Sequence, residues 1–346
     1  MSPAESVDHR RTHNLLLVSR LLSLRDTASP FTLLLDSLSQ SSRPLVREYI
    51  ERAITAKCKT VFVSFSTFSP PQGITTLISA RRKPIPVLQK EIFAACSANG
   101  SSKTLLILDS LNPLCSSAPS SLAPFLSSLL SPTTTLVAMY HTDVPLCLPP
   151  EGSANAYPDS APQPLTLLSY FATTIITVHS ITHMLAAKAA RDRSLAPPGY
   201  GLDEGVDGVL VGLGSNPAEG VVLELEYRRK SGRGVGEWFF LPGEGEAAGM
   251  KRSVLPGGVE EKVMLLEDHP RWKESEAVKQ RGGAGEEEEP MSTFELGLTE
   301  SQRKARDEVV LPYFDAQREG GIGGGGAILF TPDREIDDFD DEEDEI

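Results

Sequence analysis

Apolar, β-branched segments alternate with helix-like segments through the first half of this chain, and the first strand-to-helix connection holds neither glycine nor lysine. The alternation implies a parallel sheet with helices on both faces, because continuous apolar strands are buried on both sides. The connection restricts what such a fold can do. Thr32-Leu33-Leu34-Leu35-Asp36 reads as a buried strand, and a helix is expected from about Pro44 to Lys57. Between them lies Ser37-Leu38-Ser39-Gln40-Ser41-Ser42-Arg43. A phosphate-binding loop needs glycines so that backbone N–H groups can wrap the phosphates, and a lysine to reach the terminal ones. The chain has the outline of a nucleotide-binding α/β domain without the phosphate cradle, which favours a binding or scaffold role over catalysis.

Further strands are expected at Thr60–Phe65, Thr104–Asp109, Thr134–Tyr140 and Thr173–Val178, with helices at Val87–Ala98, Leu122–Leu130, Leu165–Phe171 and Met184–Arg193. Asn14–Leu24 fits helix or strand. Residues 143–164 form a proline-rich loop with no Lys or Arg. Val209–Val211, Val221–Tyr227 and Glu237–Leu241 then have the short spacing of an antiparallel ribbon, turning at Gly232-Arg233-Gly234. The fold class is therefore α/β, a mixed sheet with helices on both faces and a C-terminal β-meander. The organisation expected is a disordered N-terminus (1–13), the α/β domain (14–241), a linker (242–292), a C-terminal helical segment (293–318), and a Gly-rich linker with an acidic disordered tail (319–346). Within the helical segment, Thr299 and Gln302 have capping-box spacing, and residues 299–317 are amphipathic.

The net charge of −14 is unevenly spread. Residues 267–346 carry 24 acids and 9 bases, whereas residues 1–266 carry 23 acids and 24 bases. The acidity sits at the C-terminal end, and such a stretch repels nucleic acid phosphates. Cys58, Cys96, Cys115 and Cys147 form no CxxC pair and read as isolated thiols of a reducing compartment. No signal-peptide pattern and no run of about 18 apolar residues is seen, so a soluble intracellular protein is expected.

The motifs that suggest chemistry each have a plainer reading. Asp109 ends an apolar strand where a magnesium-holding aspartate would stand. Without a phosphate loop it is expected to cap the following turn. Gly212-Leu213-Gly214-Ser215-Asn216-Pro217 starts like a dinucleotide fingerprint, but a strand follows instead of a helix, so a hairpin turn is expected. His179 and His183 have the i, i+4 spacing of paired metal ligands, yet no glutamate lies between them. No GxSxG elbow occurs. No catalytic, cofactor-binding or metal-binding residue is assigned, and no cofactor is expected. Two basic clusters, Arg81-Arg82-Lys83 and Arg228-Arg229-Lys230 (with Arg233 nearby), are candidate RNA contacts, since they offer cations to phosphates. In the acidic tail, Phe339 lies between pairs of aspartates and is a candidate anchor in a partner's basic groove.

Several stretches carry a resemblance. Ser29-Pro30-Phe31-Thr32-Leu33-Leu34-Leu35-Asp36-Ser37, Arg43-Pro44-Leu45-Val46-Arg47-Glu48-Tyr49-Ile50 and Val61-Phe62-Val63-Ser64-Phe65 resemble the fifth subunit of the Elongator complex in its fungal form. So do Thr293-Phe294-Glu295-Leu296-Gly297-Leu298-Thr299-Glu300-Ser301-Gln302-Arg303 and Val310-Leu311-Pro312-Tyr313-Phe314-Asp315. The resemblance implies a RecA-like fold lacking Walker motifs, and a non-catalytic place beside the fourth and sixth Elongator subunits in a six-membered ring. That ring would bind tRNA and support modification of the wobble uridine (U34), in cytoplasm and nucleus. The 299–317 helix and its flanking linkers would then tether the chain to another subunit. Two alternatives stand beside this one: an independent NTPase with a degenerate loop, and a nuclear interaction factor acting through the acidic tail.

Overall fold

A computed structural model describes residues 3–24, 29–97, 103–147, 157–158, 160–196, 216–229, 231–232, 234–243, 253–255 and 259–273. The elements run α1 (Pro3–Leu22), β1 (Phe31–Asp36), α2 (Arg43–Thr55), β2 (Lys59–Ser64), β3 (Thr76–Ser79), α3 (Ile85–Ser97) and β4 (Thr104–Leu108). Then come α4 (Asn112–Ser117), α5 (Pro119–Leu129), β5 (Thr134–His141), α6 (Pro164–Phe171), β6 (Thr174–Ser180) and α7 (Ile181–Asp192). The strands β7 (Gly220–Arg228), β8 (Gly234–Pro242), β9 (Ser253–Leu255), β10 (Val259–Glu261) and β11 (Met264–Leu265) complete the order.

One nine-stranded sheet organises these elements, in the order β11-β8-β7-β6-β1-β5-β4-β2-β3. Strands β6, β1, β5, β4, β2 and β3 are parallel, while β7, β8 and β11 add antiparallel partners. β1 lies at the centre, paired with β5 through Phe31↔Leu136 and with β6 through Thr32↔Thr174. Side chains alternate across the sheet, as the pleat requires. Leu34 and Phe62 pack with α1 and α2 on one face. Leu33, Val61 and Val63 pack with α3, α5 and α6 on the other, and α7 covers Val222 and Phe240 on that same side. This is the mixed α/β sheet expected.

Four differences from the expectation have physical causes. Helix α1 begins at Pro3, within the stretch read as disordered, and its Val18, Leu21 and Leu22 are buried against the sheet. Strand β3 has no counterpart in the sequence reading. It is a four-residue edge strand with Leu77 half exposed, too short to show a period. The turn before Leu122 holds helix α4, and both α4 and α5 start with proline in the first turn, where its missing N–H costs nothing. Finally, residues 242–292 are not all linker: β11 pairs with β8, and Val263, Met264, Leu265 and Leu266 are buried.

That last segment is stapled by charge. Glu261 is 2% exposed and binds Arg52 of α2 in a bidentate pair. Arg52 also donates to Glu48 at 2.7 Å, and Lys262 Nζ reaches Glu48 at 2.9 Å. Burial alone would raise the Glu48 pKa, but the Lys262 hydrogen bond and the Arg52 charge outweigh it and hold the carboxyl below its usual range. Charges buried this way persist only when every partner is present. A Glu261→Ala variant takes from Arg52 its bidentate partner and leaves it Glu48, and is expected to lose about 1–3 kcal/mol of stability by urea denaturation at neutral pH. The folded Glu48 pKa is depressed, so the network's contribution is complete above the unfolded value and fades as pH falls through the folded one.

Candidate functional site

The carboxyl ends of the central strands β1, β5 and β4 face a crevice where open α/β sheets bind ligands. The connection from β1 to α2 lies in it, and it is held by the chain's own acceptors. Asp36, 4% exposed, takes the Ser42 backbone N–H at 2.8 Å and the Ser42 hydroxyl at 2.7 Å. Asn216 Oδ1 accepts the Ser41 N–H at 2.7 Å, and the Asn216 N–H donates to the Ser39 carbonyl at 2.9 Å. Asp143 accepts the Leu38 N–H. These are the backbone donors that a phosphate cradle would offer.

His141, at the end of β5, donates to the second oxygen of Asp36 through Nδ1 at 2.5 Å. Asn112 fixes His141 through both backbone groups, accepting from its N–H at 2.9 Å and donating to its carbonyl at 2.8 Å. The Asp36 hydrogen bond raises the His141 pKa. Burial opposes the rise, and the charges of Asp36 and Asp109 add to it. Asp109, 3% exposed, accepts from the N–H groups of Phe65 (2.6 Å), Ser66 (3.0 Å) and Thr67 (2.6 Å). It pins the turn after β2 and not, as the sequence leads one to expect, the turn that follows it in the chain, because the parallel strands β2 and β4 end side by side. These donors leave it poorly placed to turn toward a metal.

Electrostatics sharpen the consequence. A nucleotide phosphate here would have to displace two carboxylates and then lie beside them. Like charges about 4 Å apart repel by about 4 kcal/mol at an effective dielectric of about 20. The site is an anion-binding loop whose N–H donors at Leu38, Ser41 and Ser42 are satisfied internally. No group of three or more metal-ligating side chains occurs among the described residues.

The other flagged residues do not converge. His179 stands on β6 and bonds Glu224 at 3.0 Å, whereas His183 lies on α7, so the pair does not share a helix. Gly212 to Ser215 lie outside the described residues, as do Val209–Val211, the 299–317 helix, Phe339 and the acidic tail. Burial pushes the Cys115 thiol up to about 12, so it is inert at physiological pH. Arg81, Arg82 and Lys83 follow β3 at the carboxyl end of the parallel strands. Arg228 and Arg229 close β7, beside the amino end of β6, while Lys230 and Arg233 lie outside the described residues. Strand β3 is six strands from β7 in the sheet, or about 29 Å at 4.8 Å per strand. The clusters are two separate patches at opposite ends of the sheet. Asp143 and Asn216 escape a sequence reading, because a loop acceptor contributed from 105 or 175 residues away carries no local signal.

With that geometry in place, the relatives are informative. The family model described as Elongator subunit Iki1 matches residues 17–331. The chain belongs to that family. The Elongator complex protein 5 of Schizosaccharomyces pombe is 29% identical over 327 residues, spanning 91% of this chain and 94% of its own length. That of Saccharomyces cerevisiae is 28% identical over 342 residues, spanning 96% and 97%. The resemblance read from the residue stretches is thus borne out across the chain. Among solved structures, one ATPase domain is similar at a TM-score of 0.36 and 9% identity, covering 60% of this chain and 80% of that one. The nine-stranded mixed sheet with helices on both faces agrees with the fold class expected from the sequence.

The Asp36–His141 pair makes a pH prediction. The folded His141 pKa is raised, so its contribution to stability is complete below the unfolded value and is lost as pH rises through the folded one. A His141→Gln variant should therefore be less stable than the parent at pH 6, with the gap narrowing by about pH 9 in thermal melts. A gap that does not change with pH would show that the pair carries no charge.

Proposed function

We propose that this chain is a non-catalytic structural subunit of an Elongator complex. In this reading it sits beside the fourth and sixth Elongator subunits in a ring of RecA-like domains, and the ring binds tRNA and supports modification of the wobble uridine (U34). The observation that carries the non-catalytic part is the β1–α2 connection, whose N–H donors are taken by Asp36, Asn216 and Asp143. What supports membership in the complex is the family match over residues 17–331 and the two yeast relatives named Elongator complex protein 5. The same observation counts against an independent NTPase with a degenerate loop.

A RecA-like subunit with a sealed crevice contributes by its surfaces. Its flat sides bury against neighbours and shape the seams between them. In this reading RNA is met through Arg228, Arg229 and Lys230, the first two lying beside the amino end of β6. Arg228 is held there by the Ser169 carbonyl at 2.6 Å and by Glu226. The protein works in the cytoplasm and the nucleus. No helix among the described residues is long and apolar enough to cross a membrane.

Affinity purification of the tagged full-length chain from its own cells, followed by mass spectrometry, tests the reading. The fourth and sixth subunits should be recovered in amounts comparable to the bait, and the purified assembly should bind tRNA in a salt-sensitive manner. A chain that purifies alone would contradict it.

A further inference from the structure

A groove of about 590 Å³ opens beside the sealed crevice, at the carboxyl ends of β2 and β3. Phe65, Ile85 and Leu114 give it an apolar lining, and Arg81, Arg82 and Lys83 line one side. We propose that this groove docks an acidic peptide segment of a partner protein that carries one aromatic or aliphatic anchor.

Three observations carry the assignment. The first is preorganisation. Asp109 pins the turn at Phe65, Ser66 and Thr67, and Arg81 is fixed in turn by donating to the carbonyls of Phe65 (3.3 Å) and Ser66 (2.9 Å). Its guanidinium lies 3.8 Å from the centre of the Phe68 ring. Phe68 is 84% exposed, a position where an aromatic side chain gains little from the fold itself. The Asp109 position thus has an indirect use: it sets the arginine at the groove's edge.

The second is backbone strain. Arg82 is exposed and adopts φ 57°, the left-handed region, which a side chain longer than glycine's occupies at a cost. A glycine there would be easier for the chain to fold. Holding an arginine in that conformation keeps a cation at the lip of the groove.

The third is charge complementarity on an apolar floor. RNA follows an extended track of cations, each meeting a phosphate. Here the cations are three consecutive residues, Arg81, Arg82 and Lys83, along one side of the groove, so it offers a short cationic edge and no track. Phe65, Ile85 and Leu114 offer no side-chain hydrogen-bond partner to a phosphate. A carboxylate-rich peptide uses both features: its anchor fills the apolar floor and its acids meet the guanidinium groups. The inference does not depend on which complex the chain joins.

Fluorescence anisotropy on the full-length chain tests it. The probes are a labelled peptide of aspartates and glutamates around a central phenylalanine, the same peptide with serine in place of that phenylalanine, and a single-stranded RNA. The phenylalanine peptide should bind saturably, more weakly at higher salt, and the serine peptide about tenfold more weakly. Arg82→Glu should weaken the phenylalanine peptide by about tenfold or more and leave RNA binding unchanged. Arg82→Gly should weaken it too, while its melting temperature stays level or rises because the strain is relieved. Equal binding of both peptides, no effect of either Arg82 substitution, or loss of RNA binding as large as the loss of peptide binding would overturn the proposal, the last in favour of a nucleic-acid site.

Discussion

The bond from the Ser42 amide to the Asp36 carboxylate governs much of this molecule's behaviour. Helix α2 begins beside it, with Pro44 in the first turn and a positive dipole end directed at the crevice. In a phosphate-binding fold that end is offered to a ligand. Here a carboxylate from the end of β1 takes the amide, 2.8 Å away and almost fully buried. His141 and the Ser42 hydroxyl satisfy more of the same carboxylate's lone pairs. The helix start, the central strand and the end of β5 are tied to one acceptor.

That arrangement changes what the surrounding parts are for. Asp109 stands where a magnesium-holding aspartate would, yet its oxygens organise the turn after β2. Asn216 and Asp143 accept from the loop's Ser41 and Leu38 N–H groups and hold it in place. Each is a polar side chain bonded to groups within the chain.

Much of the sheet is legible in the sequence because its strands are continuous apolar runs. The apolar run ending at Asp36 coincides with β1 to within a residue, and the other parallel core strands fall within two residues of their expected bounds. The empty phosphate loop is legible too, since missing glycines and lysine are visible residue by residue. What stays hidden has a common cause: the deciding partner is remote. Glu261 and Lys262 look like linker charges until Arg52 and Glu48 are seen beside them. Asn216 looks like part of a hairpin turn, and only the fold shows that it seals a loop 175 residues away. Strand β3 is an edge strand of four residues, and its neighbour β2 supplies the register that its own pattern lacks. The two basic clusters are equivalent in sequence, and sheet topology separates them.

The central claim is that the crevice is closed to nucleotide by the chain's own acceptors. Isothermal titration calorimetry of the isolated, full-length chain with Mg-ATP tests it most directly. The account predicts no saturable heat. Magnesium-dependent binding with a dissociation constant of about 1 μM, some 8 kcal/mol of affinity, would contradict it.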